Sequence, residues 1–157
     1  MIRKLALLFV FLATLSMVYA FPYHLNKRAA NFGQCQGLPP SSKATVISNV
    51  TLSPDPPKAG SNLEVKGSAT TETNIDKDDL FFFVMFDTNN NALFVPEPFN
   101  ICAKTECPTT TFNFDENYDL STVPSLPEDF LVAIVIAPNL TDPLAAKACG
   151  EALFPEQ

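Results

Sequence analysis

Beyond its first twenty residues the chain alternates short apolar runs with turn-forming clusters, and no window sustains a 3.6-residue period. From Ala44 to Leu52 one face carries Val46, Ser48, Val50 and Leu52, and the other Ile47, Asn49 and Thr51. A glycosylation sequon at Asn49 puts the second face outside, so Val46, Val50 and Leu52 are expected to point inward. Ser53 to Gly60, with Pro54, Pro56 and Pro57, cannot continue a ladder and reads as a turn. Asn62 to Thr70 alternates again, with Leu63, Val65, Gly67 and Ala69 on one side. Leu80 to Asp87 is apolar on both faces, as a strand between two buried layers would be. Thr88 to Asn91 is a tight turn after which Ala92 to Val95 pairs back. Thr109 to Phe114 sets Phe112 and Phe114 on one face with Asn113 on the other, and Val123 to Pro127 is a stiff connector. Phe130 to Ala137 is the strongest strand, and a last one runs through Cys149 to Phe154. About seven strands punctuated by turns predict an all-β, two-sheet sandwich.

The first twenty residues obey a different rule. Arg3 and Lys4 precede the apolar run Leu5 to Leu15, and Val18-Tyr19-Ala20 offers the small residues of a cleavage site. This is a secretory signal peptide over residues 1–20. Its apolar stretch of roughly 13–16 residues falls short of the ~20 a membrane span needs. The next segment, 21–28, ends in Lys27-Arg28, a dibasic pair that a processing protease either cuts or leaves. The folded domain is then 29–157. The expected destination is the extracellular medium, or the lumen of a vacuole or lysosome.

Charge and chemistry narrow the function. The full chain carries 10 basic and 17 acidic residues, a net −7. Cleavage at both sites leaves six lysines against the same 17 acids, a net −11. Such a surface repels phosphate backbones, which argues against a nucleic-acid partner. The single histidine, His24, lies before the folded domain. No histidine-based nucleophile or histidine-ligated zinc can therefore form inside it, and no catalytic residue is assigned. The densest acidic run, Ile75 to Asp79, lacks the glycine and closing glutamate of a hand-type calcium loop and reads as a solvated turn.

Four cysteines in an exported domain imply two disulfides, with three connectivities open. Pairing neighbours and pairing ends gives Cys102–Cys107 and Cys35–Cys149. The spacings contain no CxxC, so a metal site is not expected, nor is any cofactor. Two sequons, at Asn49 and Asn139, are candidate glycan sites.

The chain has 14 phenylalanines and no tryptophan, and 11 of the phenylalanines fall after residue 28. Phenylalanine supplies apolar bulk without a polar handle. Composition alone fits a ring-filled core or a ring-lined cavity equally. Three blocks bear on the choice: VISNVTLSPDPPKAGSNLEVKGSAT (Val46 to Thr70), ICAKTECP (Ile101 to Pro108) and VPSLPEDFLVAIVIA (Val123 to Ala137). Together with the position of Cys149 they resemble the ML domain. That lipid-recognition family includes the Niemann–Pick type C sterol-binding protein and fungal phosphatidylglycerol/phosphatidylinositol transfer proteins.

The resemblance implies an immunoglobulin-like sandwich, a monomer, that holds a sterol or phospholipid in an apolar cavity between its sheets and touches membranes transiently. It implies no enzyme activity. By parity either Phe81, Phe83 and Met85 or Phe82, Val84 and Phe86 face the cavity, and the sequence leaves both open. The candidate lining is Phe83 and Met85 with Phe94, then Phe112 and Phe114. The resemblance puts Leu126, Pro127 and Phe130 near the opening and Val132 and Ile134 along the wall. The alternative is a secreted immunoglobulin-like interaction module with a filled core.

Overall fold

The computed structural model describes residues 30–39 and 42–154. The expected leader, its cleavage site and the dibasic pair lie outside the described residues. Nine strands are seen among them: β1 (Thr45–Val46), β2 (Asn49–Ser53), β3 (Asn62–Ile75), β4 (Leu80–Asp87), β5 (Ala92–Phe94), β6 (Phe99–Asn100), β7 (Thr109–Asp119), β8 (Phe130–Ala137) and β9 (Ala148–Phe154). The larger sheet runs β1-β9-β8-β4-β5, with β6 also paired to β4, and the smaller runs β2-β3-β7. The two pack face to face as the expected all-β sandwich. Two of the strands beyond the expected seven, β1 and β6, are only two residues long.

Strand β4 sits in the middle of the larger sheet, and its parity is now settled. Phe81, Phe83 and Met85 join the cluster between the sheets, with Val132, Ile134, Ile136, Val65 and Leu63. Phe82 and Val84 face the opposite way, where Ala137, Ala146 and Leu38 cover them. The turn after β4 is built by one carboxylate. Asp87 accepts from the backbone N–H groups of Asn89 and Asn91, each at 2.8 Å, and from the Asn91 side chain at 2.8 Å. Those bonds, first the Asn91 side chain's, hold the Asp87 carboxyl below its ordinary range. Asn90 takes the left-handed conformation the turn needs, φ 63°.

The expected alternation from Ala44 to Leu52 fails at its start. Val46 is 46% exposed and Ile47 is 1% exposed, the reverse of the expectation. The chain changes sheets there. β1 pairs in parallel with β9, whereas β2 pairs with β3 in the other sheet, so the period restarts at Asn49. Ile47 crosses between the layers over Gly150. A Cβ at Gly150 would overlap the Ile47 carbonyl oxygen and sit 3.0 Å from its Cβ.

Two disulfides complete the frame. Cys35 joins Cys149 across a sequence separation of 114, and Cys102 joins Cys107 across 5. The long closure removes more unfolded-chain freedom and stabilises by about 4–5 kcal/mol on the chain-entropy model. It ties the segment before β1 to β9, where Gly33 bridges Glu151 on the part of the edge that β1 leaves open.

The acidic turn before β4 is only partly the solvated loop expected from its composition. Asp79 is 2% exposed. Its carboxylate pairs with Lys147 at 2.6 Å and accepts the Asp76 N–H at 2.6 Å, so the β8–β9 connection is clamped to the β3–β4 turn. Burial lowers the Lys147 pKa, but the bonds to Asp79 and Asp76 outweigh it and the net shift is upward.

Gly150→Ala should lower stability by about 1–3 kcal/mol, because the added methyl meets backbone rather than a side chain that can turn away. Gly33→Ala meets open space and should be close to neutral. Chemical denaturation of the two variants checks the contrast.

Candidate functional site

The inner faces of the two sheets form one continuous apolar surface. Phe83, Met85, Phe112, Phe114, Phe130, Val132 and Ile134 all belong to the buried cluster there, and Phe94 and Leu126 pack against it. Pro127 stands apart from the other expected lining residues, exposed on the connector. Phe81 joins the cluster as well, following the parity of Phe83.

Rings from the two sheets touch. Phe81 of β4 lies 5.0 Å from Phe114 of β7 and 5.8 Å from Phe112, centroid to centroid. Phe99 of β6 stacks on Phe81 at 5.0 Å. Further along, Phe83 stacks on Tyr118 at 4.4 Å, and Phe94 of β5 closes that group at 6.4 and 6.1 Å. Gly67, paired with Phe114 in register, makes room for this packing. A Cβ at Gly67 would come within 2.5 Å of the Phe114 ring. A guest between the sheets therefore has to part rings.

Two ring groups result, and a polar position separates them. On β7 the alternation runs Phe112, Phe114, Glu116, Tyr118, so Glu116 shares the inward face with the aromatics. Its side chain is 14% exposed and pairs with Lys104 in the Cys102–Cys107 loop. The Lys104 ammonium also lies over the Phe99 ring, 4.1 Å from its centroid. Burial, and then the Glu116 charge, push the Tyr118 hydroxyl well above its ordinary pKa, so it stays a neutral phenol.

The edge of the larger sheet is interrupted at this level. β6 pairs with β4 at Leu80 and Phe81, and β5 pairs at Met85 and Phe86. Phe82, Phe83 and Val84 have no strand partner on that edge. The chain between β5 and β6 carries Pro96 and Pro98, which cannot donate to a ladder. The gap lies beside Phe83, and Phe83 in turn stacks on Tyr118, next but one to Glu116.

Phe99, Lys104, Glu116 and Tyr118 were not among the expected site residues. Extending the Thr109–Phe114 alternation by four residues would have found Glu116 and Tyr118. Nothing local marks Lys104.

A family model for the ML domain matches residues 29–134. The chain belongs to the ML-domain family. No curated protein matches it. The ML family is, at the coarse level, a lipid-binding family without a catalytic role. Its two disulfides are consistent with an extracellular or lumenal setting. Among the described residues no group of three or more His, Cys, Asp or Glu side chains could hold a metal ion.

The ML domain has a second apolar feature on the outer face of the larger sheet. Leu38, Ala133, Val135, Ala137 and Ala146 line a depression of about 190 Å³ beside the Cys35–Cys149 disulfide. That is below the ~300 Å³ at which ligand pockets begin. Glu151 borders it, and burial raises its carboxyl pKa, only partly offset by the Gln36 backbone N–H.

Phe83→Ala should cost about 3–5 kcal/mol of stability by emptying a stacked interior site. Tyr118→Phe keeps the ring and should cost less than about 1 kcal/mol; thermal unfolding compares the two. A carboxyl whose folded pKa is raised stabilises the fold only while protonated. The Glu151 penalty therefore grows as pH rises through its ordinary value near 4.5. Glu151→Gln should stabilise the protein at pH 7 and lose that advantage near pH 4, read from denaturation midpoints at both.

Proposed function

We propose that this ML domain is a secreted carrier that takes one sterol or phospholipid between its sheets and exchanges it at membranes. The observation that carries the reading is the inner surface of touching phenyl rings, Phe83 on Tyr118 among them, beside a stretch of β4, Phe82–Val84, that has no strand partner on one edge. Parting a ring pair costs about 0.5–1.5 kcal/mol beyond the area involved. An inserted chain recovers about 0.8 kcal/mol per buried methylene, and the parted rings stay dry against it.

Export rests on the leader at 1–20 and on the two disulfides. Removal of 21–28 at Lys27-Arg28 would leave a more acidic mature protein. Asn49 and Asn139 are both exposed, as glycan acceptors must be. A monomer suffices, because the inner faces of one chain enclose the guest.

The ring contacts across the sheets favour one other reading, an immunoglobulin-like interaction module whose core is already full. One experiment separates them. Protein purified from the medium and extracted with organic solvent should yield lipid, and it should move fluorescent sterol or phospholipid between vesicles. Failure of both would leave the filled-core module.

A further inference from the structure

The connection from β8 to β9 carries the sequon Asn139-Leu140-Thr141, and exposed Asn139 is itself one of the residues lining the outer-face depression. Its Oδ1 is committed to the turn. It accepts the Thr141 N–H at 3.0 Å, the Thr141 hydroxyl at 2.8 Å and the Asp142 N–H at 3.0 Å. Those bonds hold the side chain by its oxygen and use no part of Nδ2, the atom to which a glycan is joined. The depression beside it is apolar, with Leu38, Ala133, Val135, Ala137 and Leu140 in its lining. Leu140 is 48% exposed, and Leu144 of the same connection is 57% exposed. Apolar surface of this kind gains from any cover that removes it from water. At about 190 Å³ the hollow matches about six waters, the scale of one sugar ring rather than of a free ligand. A covalent tether supplies the local concentration that so small a contact needs.

We propose that the first N-acetylglucosamine of a glycan on Asn139 folds back onto this depression, lays its acetamide methyl against Val135 and Leu140, and covers the outer face of the larger sheet. This rests on the reading of Asn139 as a glycan acceptor and is independent of what lies between the sheets. Leu38 and Ala146 already cover Phe82 and Val84 on that face, and the sugar extends the same layer outward. Asp142 and Glu151 border the hollow and offer carboxylate acceptors to the sugar hydroxyls. Asn49 differs. It lies on the outer face of the smaller sheet, its Nδ2 donates to the Ser68 hydroxyl at 3.1 Å, and Thr51 and Lys66 beside it are exposed and polar. A glycan there meets a polar surface and stands off in solvent.

The test uses the full secreted protein with Asn49→Gln, which leaves a single acceptor, in two forms. One is trimmed by an endoglycosidase to a single N-acetylglucosamine. The other is secreted while glycan transfer is inhibited. Mass spectrometry of the glycopeptide comes first: an unmodified Asn139 in the uninhibited protein overturns the proposal together with the acceptor reading beneath it. With Asn139 occupied, the single sugar should raise Tm by about 3 °C, and its acetamide methyl should give nuclear Overhauser contacts to the Val135 methyls. Leu140→Ser keeps the sequon and changes an exposed position. It should remove most of that gain in the trimmed form and leave the Tm of the unglycosylated form within about 1 °C. An occupied Asn139 with no Overhauser contact to the depression and equal Tm in the two forms overturns the docking and leaves the acceptor reading standing.

Discussion

The structure depends on a strand that is apolar on both faces. β4 gives Phe81, Phe83 and Met85 to the space between the sheets and Phe82 and Val84 to an outer layer. Only the centre of a sheet covered on both sides can bury such a strand. That requirement places β8 beside it, draws Leu38 and Ala146 over the outer face, and sets β7 across from it. It also brings phenyl rings into contact where a β-sandwich would ordinarily interdigitate aliphatic chains. The disulfides and the Asp79–Lys147 clamp hold the periphery of that packed interior. The proposed carrier role requires the rings to part while this frame holds.

The polar exceptions fall where the frame meets the interior. Removing a carboxylate from water is unfavourable unless a partner compensates. Asp79 meets that condition through Lys147 and the Asp76 N–H, and it joins two loops at one end of the sandwich. Glu116 meets it through Lys104 on an otherwise aromatic face. The first pair fastens two loops. The second leaves its cation partly in solvent.

Much of this was legible in the sequence, for reasons particular residues make plain. Period-two alternation in Asn62 to Thr70 and at Phe112 and Phe114 gave the inward faces correctly, because each strand has one wet side. β4 gave no such signal, since both of its sides are dry, and only the pairing with β8 decides its parity. The error at Val46 and Ile47 came from reading one strand where the chain changes sheets. Alternation cannot carry across a crossover, and Gly150, which permits the crossing, lies a hundred residues later. Asp79 read as solvent-facing because its partner, Lys147, is distant in sequence. Lys104 was silent for the same reason: its meaning depends on Phe99 and Glu116, which the fold brings to it.

In the proposed carrier the rings between β4 and β7 separate to admit a lipid while the sheets keep their pairing. Nuclear Overhauser contacts between Phe83 and Tyr118, recorded before and after saturation with phospholipid, test it most directly. These contacts should vanish on loading while the β4–β8 backbone contacts persist. Bound lipid with the Phe83–Tyr118 contacts intact would contradict it.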